Sequence, residues 1–136
     1  MKKFVVILLV SLLVTGLIFA KNTLQNDDYQ LYRRIFNIIY TSLPKPDIYV
    51  YLHVETSKLI ENIHKRGRSY EQEINQDYLN KIQKAYFDYF KQQQNFTFLI
   101  IDTNNIDFVK NNNDFNKLKE VIFNKQYKKG INRIKF

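Results

Sequence analysis

Cysteine and tryptophan are absent from this 136-residue chain, methionine occurs once, proline and histidine twice each, and glycine three times. Without cysteine there is no disulfide framework, no thiolate nucleophile and no cysteine-ligated metal. His53 and His64 alone make no histidine cluster, which argues against a zinc enzyme. So little glycine and proline excludes collagen-like or linker sequence, and an apolar share of 45% excludes a disordered chain. Acidic residues are the minority, 13 against 21 Lys and Arg, for a formal net charge of +8. That surplus suits an anionic partner, whether nucleic acid, a membrane surface or a phosphorylated small molecule, and composition does not choose among them. The length suffices for one small domain with its own core and is short for two.

The first residues read as a separate head over 1–16. Lys2 and Lys3 precede an unbroken apolar run from Phe4 to Val10, followed by Ser11 and Leu12 to Val14. A basic start and an apolar stretch make the pattern of an export signal, with imperfect cleavage sites at Val14-Thr15-Gly16 or after Ala20. The run is short for a membrane span, which takes about 20 apolar residues. Val5, Val6, Ile7 and Val10 also fit a buried element, including a parallel strand.

Beyond Gly16 the pattern alternates. Asn26, Asp27 and Asp28 offer a cap and an acidic first turn for a helix over about Tyr29 to Tyr40. Leu31, Ile35, Ile38 and Ile39 define one face of it, and Tyr32, Phe36 and Tyr40 an aromatic second face. Leu43-Pro44-Lys45-Pro46 stops it, since proline lacks the amide hydrogen. Asp47 to Val54 predicts a central strand buried on both faces. Thr56 or Ser57 caps a short helix that ends near Lys65, and Lys65 to Glu71 forms a basic loop with an acidic end. A longer helix runs from Gln76 or Asp77 to about Lys91, and Phe96 to Ile101 is a second apolar strand closed by Asp102. Asn104 to Asn113 is a loop, with a turn at Asn111 to Asn113. Asp114 opens the last helix through Ile122, and Lys125 to Lys135 is a solvated basic tail. This is the order of an α/β fold with a parallel sheet flanked by helices, although two strands are too few to complete one.

Arg66-Gly67-Arg68 is the segment richest in chemistry. Each guanidinium offers a planar fork for phosphate oxygens, and the glycine lets the backbone fold around a ligand. Glu71 can accept hydrogen bonds from hydroxyls. The plain alternative is a solvated basic turn whose arginines pair with Glu71 and Glu73.

Leu43-Pro44-Lys45-Pro46-Asp47 running into Ile48 to Leu52, then Asn62 to Gln72 and Asp77-Tyr78-Leu79, resembles the deoxynucleoside kinase family. Ile18 to Asn22 and Ile100-Ile101-Asp102 with Asp107-Phe108-Val109 are similar to it as well, so the likeness runs from about Leu17 to Ile122. The resemblance implies an incomplete three-layer α/β fold of the phosphate-loop kinase type over 17–124, with a basic tail over 125–136. It implies ATP-dependent phosphorylation of a deoxynucleoside 5′-hydroxyl, with ATP and magnesium as cofactors. Arg66 and Arg68 take the place of lid arginines that neutralise the moving phosphoryl group. Glu71 matches the lid glutamate that holds the sugar 3′-hydroxyl, and Phe19 the aromatic that lies on the base. Asp107 and Phe108 match the loop that lines the adenine of ATP, mostly by backbone. For Phe19 and Phe108, ordinary core is the plain alternative.

The chain departs from the family in its early part. Its glycines are Gly16, Gly67 and Gly130, so it has no G-x-x-x-x-G-K-[ST] phosphate loop. The carboxylate base, the magnesium ligands and a base-reading aspartate have no counterpart; Thr15 stands at the last position, and Asn62 where a third lid arginine often lies. The expectation is a shortened family member of the cytoplasm with impaired activity. Deoxynucleoside and ATP are its ligands, a second copy is a candidate partner, and nucleic acid and stable membrane association are not expected. An exported or membrane-anchored small binding protein that keeps only the fold is the alternative. A nucleic-acid role for Lys125, Lys128, Lys129, Arg133 and Lys135 rests on charge alone.

Overall fold

Strand order follows from where the chain concentrates its β-branched and aromatic residues. The computed structural model describes the backbone of residues 2–136 and the side chains of residues 11–136. It falls into two units, Met1–Pro46 with Lys81–Tyr89, and Asp47–Asn80 with Phe90–Phe136.

The second unit holds a parallel sheet of three strands, β1 (Tyr49–His53), β2 (Thr97–Asp102) and β3 (Gly130–Lys135), with β2 in the middle. β2 is apolar at both alternating sets of positions, as a strand covered on two sides must be. Phe98, Leu99, Ile100 and Ile101 are all at most 3% exposed. On one face Leu99 and Ile101 join Leu118 and Val121 of helix α5 (Asn112–Phe123, numbered after the helices below), with Ile48, Ile134 and Tyr127 against them. On the other face Phe98 stacks on Tyr49 at 5.1 Å and on Phe90 at 4.6 Å, and Tyr51 meets Phe90 edge-on at 5.6 Å. Each such buried side chain contributes about 1.5–3 kcal/mol.

Two expectations change here. β1 is an edge strand rather than a central one, and its exposure alternates. Helix α5 packs over β2 and Ile134 of β3, which leaves Val50 and Leu52, the same-face neighbours of Leu99 and Ile101, 39% and 41% exposed. The basic tail supplies the third strand: Ile131 pairs with Phe98 and Ile134 with Ile101. Gly130, at φ 92°, turns the chain into it and donates its N–H to the Phe96 carbonyl at 2.8 Å. Five cations in and around this segment hide its two isoleucines from a reading by charge.

The crossovers are α3 (Thr56–Arg66), followed by a short 3₁₀ turn at Ser69–Glu71, then α4 (Gln76–Gln92), whose middle belongs to the first unit, and lastly α5. The N-cap of α3 is Glu55, not Thr56 or Ser57, and Glu55 makes no side-chain cap. Asn75 caps α4 by accepting from the Tyr78 N–H at 2.8 Å. Asn111 does the same for α5 through the Asn113 N–H at 3.0 Å, so the asparagine run is a cap and first turn.

In the first unit, α1 (Lys2–Thr23) and α2 (Asn26–Ser42) are joined by a bend. The run that also fits a strand is therefore helical backbone. The burial expected of Val5, Val6, Ile7 and Val10 lies outside the described side chains. Among the described residues, no helix is long and apolar enough to cross a membrane. The α2 face that packs is the aromatic one: Phe36 is buried and stacks on Tyr40 at 4.9 Å, while Leu31, Ile35, Ile38 and Ile39 are exposed. Burial raises the Tyr89 phenol pKa, with a further push from the neighbouring Tyr40 hydroxyl. Lys45 donates to the Tyr40 carbonyl and lies 3.4 Å over the Tyr40 ring, and burial lowers its pKa.

Gly16 decides how Tyr32 sits. A Cβ on Gly16 would lie 2.2 Å from the Tyr32 hydroxyl oxygen and 3.3 Å from its ring carbon. A helical Gly→Ala change ordinarily stabilises by about 1 kcal/mol. Here Gly16→Ala is expected to lower the melting temperature, and to become neutral or stabilising once Tyr32→Phe removes the hydroxyl. Thermal unfolding of both single variants and the double variant measures this coupling.

Candidate functional site

The basic loop is built at the end of α3. His64, Lys65 and Arg66 fill its last turn, where cations suit the negative helix terminus. Gly67 ends the helix in the left-handed region, φ 71° and ψ 19°, with its N–H donating to the His64 and Ile63 carbonyls at 3.1 and 3.3 Å. The chain then turns back through the 3₁₀ turn, which brings Glu71 to both arginines.

Arg66 donates from Nε at 3.0 Å and from Nη2 to one carboxylate oxygen of Glu71. Arg68 Nη1 lies 3.7 Å from the other oxygen and donates to the Tyr70 hydroxyl at 3.2 Å. The Glu71 side chain is 13% exposed, whereas those of Arg66 and Arg68 are 49% and 52% exposed. Gln72 Nε2 braces the turn by donating to the Arg68 carbonyl at 3.0 Å. The pairing expected of a solvated turn is thus present at Glu71. It also holds two forks side by side with a surplus of one positive charge. A guanidinium carries five donors, so each retains capacity for the oxygens of an anion.

The loop after β2 is organised by its own carboxylates. Asp107 Oδ1 accepts from the Val109 and Lys110 N–H groups at 3.2 and 3.0 Å, and the Asp107 N–H donates to Asp114 at 3.0 Å. The Asp107 side chain therefore serves the turn itself. Phe108 is partly buried against the Leu99, Ile101, Leu118 and Val121 cluster, the core placement weighed for it above. Phe19 lies on α1 in the first unit and is 37% exposed, in contrast to its buried neighbours Ile18 and Ala20.

Sequence reasoning named Asp102 as the end of the second strand but gave it no role at the carboxyl ends of the strands, the edge where α/β sheets bind ligands. His53, Asp102 and Lys135 stand in register across β1, β2 and β3. The Asn104 backbone N–H holds the Asp102 carboxyl below its ordinary pKa. The Asn104 side chain, His53 and Lys135 act in the same direction, against the opposing effect of burial. The signal for it was Asp-x-Asn at a strand end, the spacing of a side chain folding back on its own turn. Among the described residues, no group of three or more His, Cys, Asp or Glu is placed to hold a metal.

A parallel sheet with helical crossovers and a basic loop after the first crossover helix places the chain among the α/β folds of the phosphate-loop kinase type, in an incomplete form. A family model described as deoxynucleoside kinase matches residues 5–127, and the chain belongs to that family. The match reaches back across most of the apolar head. Deoxyguanosine kinase of Bacillus subtilis (strain 168) is 33% identical over 107 residues, covering 76% of this chain and 52% of that protein. Deoxyadenosine kinase of Lactobacillus acidophilus is 33% identical over 82 residues, covering 57% and 37% respectively. Deoxyadenosine kinase of Dictyostelium discoideum is 29% identical over 66 residues, covering 48% and 27%. The chain thus spans about half the length of the first of these relatives and less of the other two.

Two outcomes are expected. Nothing lies within 4 Å of a Cβ built on Gly67, so Gly67→Ala suffers from conformation alone, and thermal unfolding should show a loss of about 1–2 kcal/mol. Asp102 has a depressed pKa, so its contribution is present above the ordinary aspartate value of about 3.9 and is lost as the pH falls through the lower folded value. Asp102→Asn should therefore melt below the wild type at pH 7, and the gap should close on acidification below about pH 4.

Proposed function

We propose that this chain serves in the transfer of the γ-phosphoryl group of ATP to the 5′-hydroxyl of a deoxynucleoside. It would supply the cationic lid and the loop after β2. The observation that carries this reading is the Arg66–Glu71–Arg68 cluster, set at a helix end beside a left-handed glycine. Membership in the deoxynucleoside kinase family supports it. The names of the relatives, deoxyguanosine kinase and deoxyadenosine kinase, make those two purine deoxynucleosides the first substrates to test.

In the transfer, the 5′-oxygen joins phosphorus as the bond to ADP breaks, and the hydroxyl proton leaves to solvent water, the family's carboxylate base having no counterpart in this sequence. Charge on the moving group is spread over its outer oxygens, which Arg66 and Arg68 are suited to neutralise. Glu71 orients both forks in advance and presents a carboxylate to the sugar 3′-hydroxyl. Asp107 and Phe108 fix the backbone against which adenine lies, and Phe19 offers a ring to the base. ATP is the donor, and magnesium is the ion the family implies with it. The cytoplasm is the compartment we assign, with residues 17–124 as the kinase-like part and a second copy as a candidate partner.

The sequence lacks the glycine-rich phosphate loop and the base, so the chain alone should turn over barely above background. A coupled ATP-consumption assay with the four deoxynucleosides tests this, and rapid turnover would contradict it. A non-hydrolysable ATP analogue should still bind. Arg66→Ala and Arg68→Ala should each weaken it about tenfold or more, the effect of removing a charge-assisted hydrogen bond. No measurable binding to the unaltered chain would favour the non-catalytic alternative.

A further inference from the structure

The N-terminus of α3 is capped from far away. Glu55 makes no side-chain cap of its own, yet its N–H is satisfied: it donates to Asn104 Oδ1 at 2.9 Å. In a capping box, that backbone donor is met by a side chain within the helix's own first turn. Here a residue beyond the end of β2 fills the role. Asn104 is itself held, its N–H and Nδ2 donating to Asp102 Oδ1 at 3.0 and 2.8 Å. Lys58, one turn into α3, donates from Nζ to the Asn104 carbonyl. Thr103 completes the joint by donating its N–H and Oγ1 to the His53 carbonyl at 2.9 and 3.0 Å.

We infer that Asn104 is a positioning residue that couples the loop carrying Asp107 and Phe108 to the helix carrying the lid. The inference rests on the phosphoryl-transfer reading above. All of Asn104's polar groups are engaged, two toward β2 and two toward the foot of α3. Arg66 is the last residue of that helix, and Gly67 and the Glu71 cluster follow at once. An 11-residue helix is about 16 Å long, so a tilt of a few degrees at its foot moves its far end by on the order of 1 Å. Displacement of that size at a catalytic cation can cost about a hundredfold in rate. A ligand seated against the loop would therefore set the aim of the lid through one amide. Neither Asn104 nor Asp102 would touch the nucleotide.

Amide hydrogen exchange and binding of a non-hydrolysable ATP analogue, both measured on the full chain, test the coupling. Asn104→Ala should speed exchange at Glu55 and, through the helix, at Gly67, Glu71 and Gln72, whose N–H groups are hydrogen-bonded within the lid. It should also weaken the analogue about tenfold, within the range of known long-range coupling. Faster exchange at Glu55 with unchanged lid amides would reduce Asn104 to a local cap and overturn the inference. If the unaltered chain binds no analogue, the phosphoryl-transfer reading fails separately, and the lid amides still decide whether the coupling exists.

Discussion

The burial of β2 on both faces is the constraint on which the second unit depends. Phe98 and Ile100 require aromatic cover from Tyr49, Tyr51 and Phe90, while Leu99 and Ile101 require α5. Those two demands place β1 and β3 alongside and bring the carboxyl ends of three strands to one edge. Everything chemically interesting in this unit is attached to that edge: α3 with its basic turn leaves from β1, and the Asp107 loop leaves from β2. The sheet does not perform chemistry. It fixes the two points from which the arms of the candidate site extend.

Within the basic turn, the same ion pairs serve two purposes. A carboxylate between two exposed guanidinium groups is the ordinary outcome of a charged turn, and such pairs contribute little to stability on a surface. Glu71, however, is far less exposed than either arginine, and the turn that carries it is braced by Gln72. The pairing therefore sets the direction of the forks more than it stabilises the fold. That is the property a charge-neutralising clamp requires, since donors aimed beforehand need no reorganisation as charge develops.

Much of this was legible in the sequence, and what was not has identifiable causes. Continuous apolar runs announced β1 and β2, and Gly67 with its flanking arginines announced the basic turn that ends α3. Of the two faces read for α2, the aromatic one is covered, its broad rings making the contact at Phe36 and Tyr40, while the aliphatic spacing of Leu31, Ile35, Ile38 and Ile39 leaves those residues exposed. β3 was hidden by its cations, since a strand needs only alternate residues inward and tolerates charge at the others. β1 reads as central because its residues are apolar on both sets, yet α5 covers only part of the sheet. Asn104 escaped notice because its significance lies in a contact with Glu55, distant in sequence, and no local pattern encodes it.

The all-parallel pairing has a kinetic consequence. Tyr49 meets Phe98 and Thr97 meets Gly130, so each ladder closes a loop of about thirty to fifty residues before its first rung forms. Local helices assemble within microseconds, whereas such distant pairings wait on a chain-wide search. During that interval the four-residue apolar stretch of β2 remains wet and adhesive. Speed of sheet closure, more than final stability, would then govern how much of this polypeptide escapes clumping as it is made.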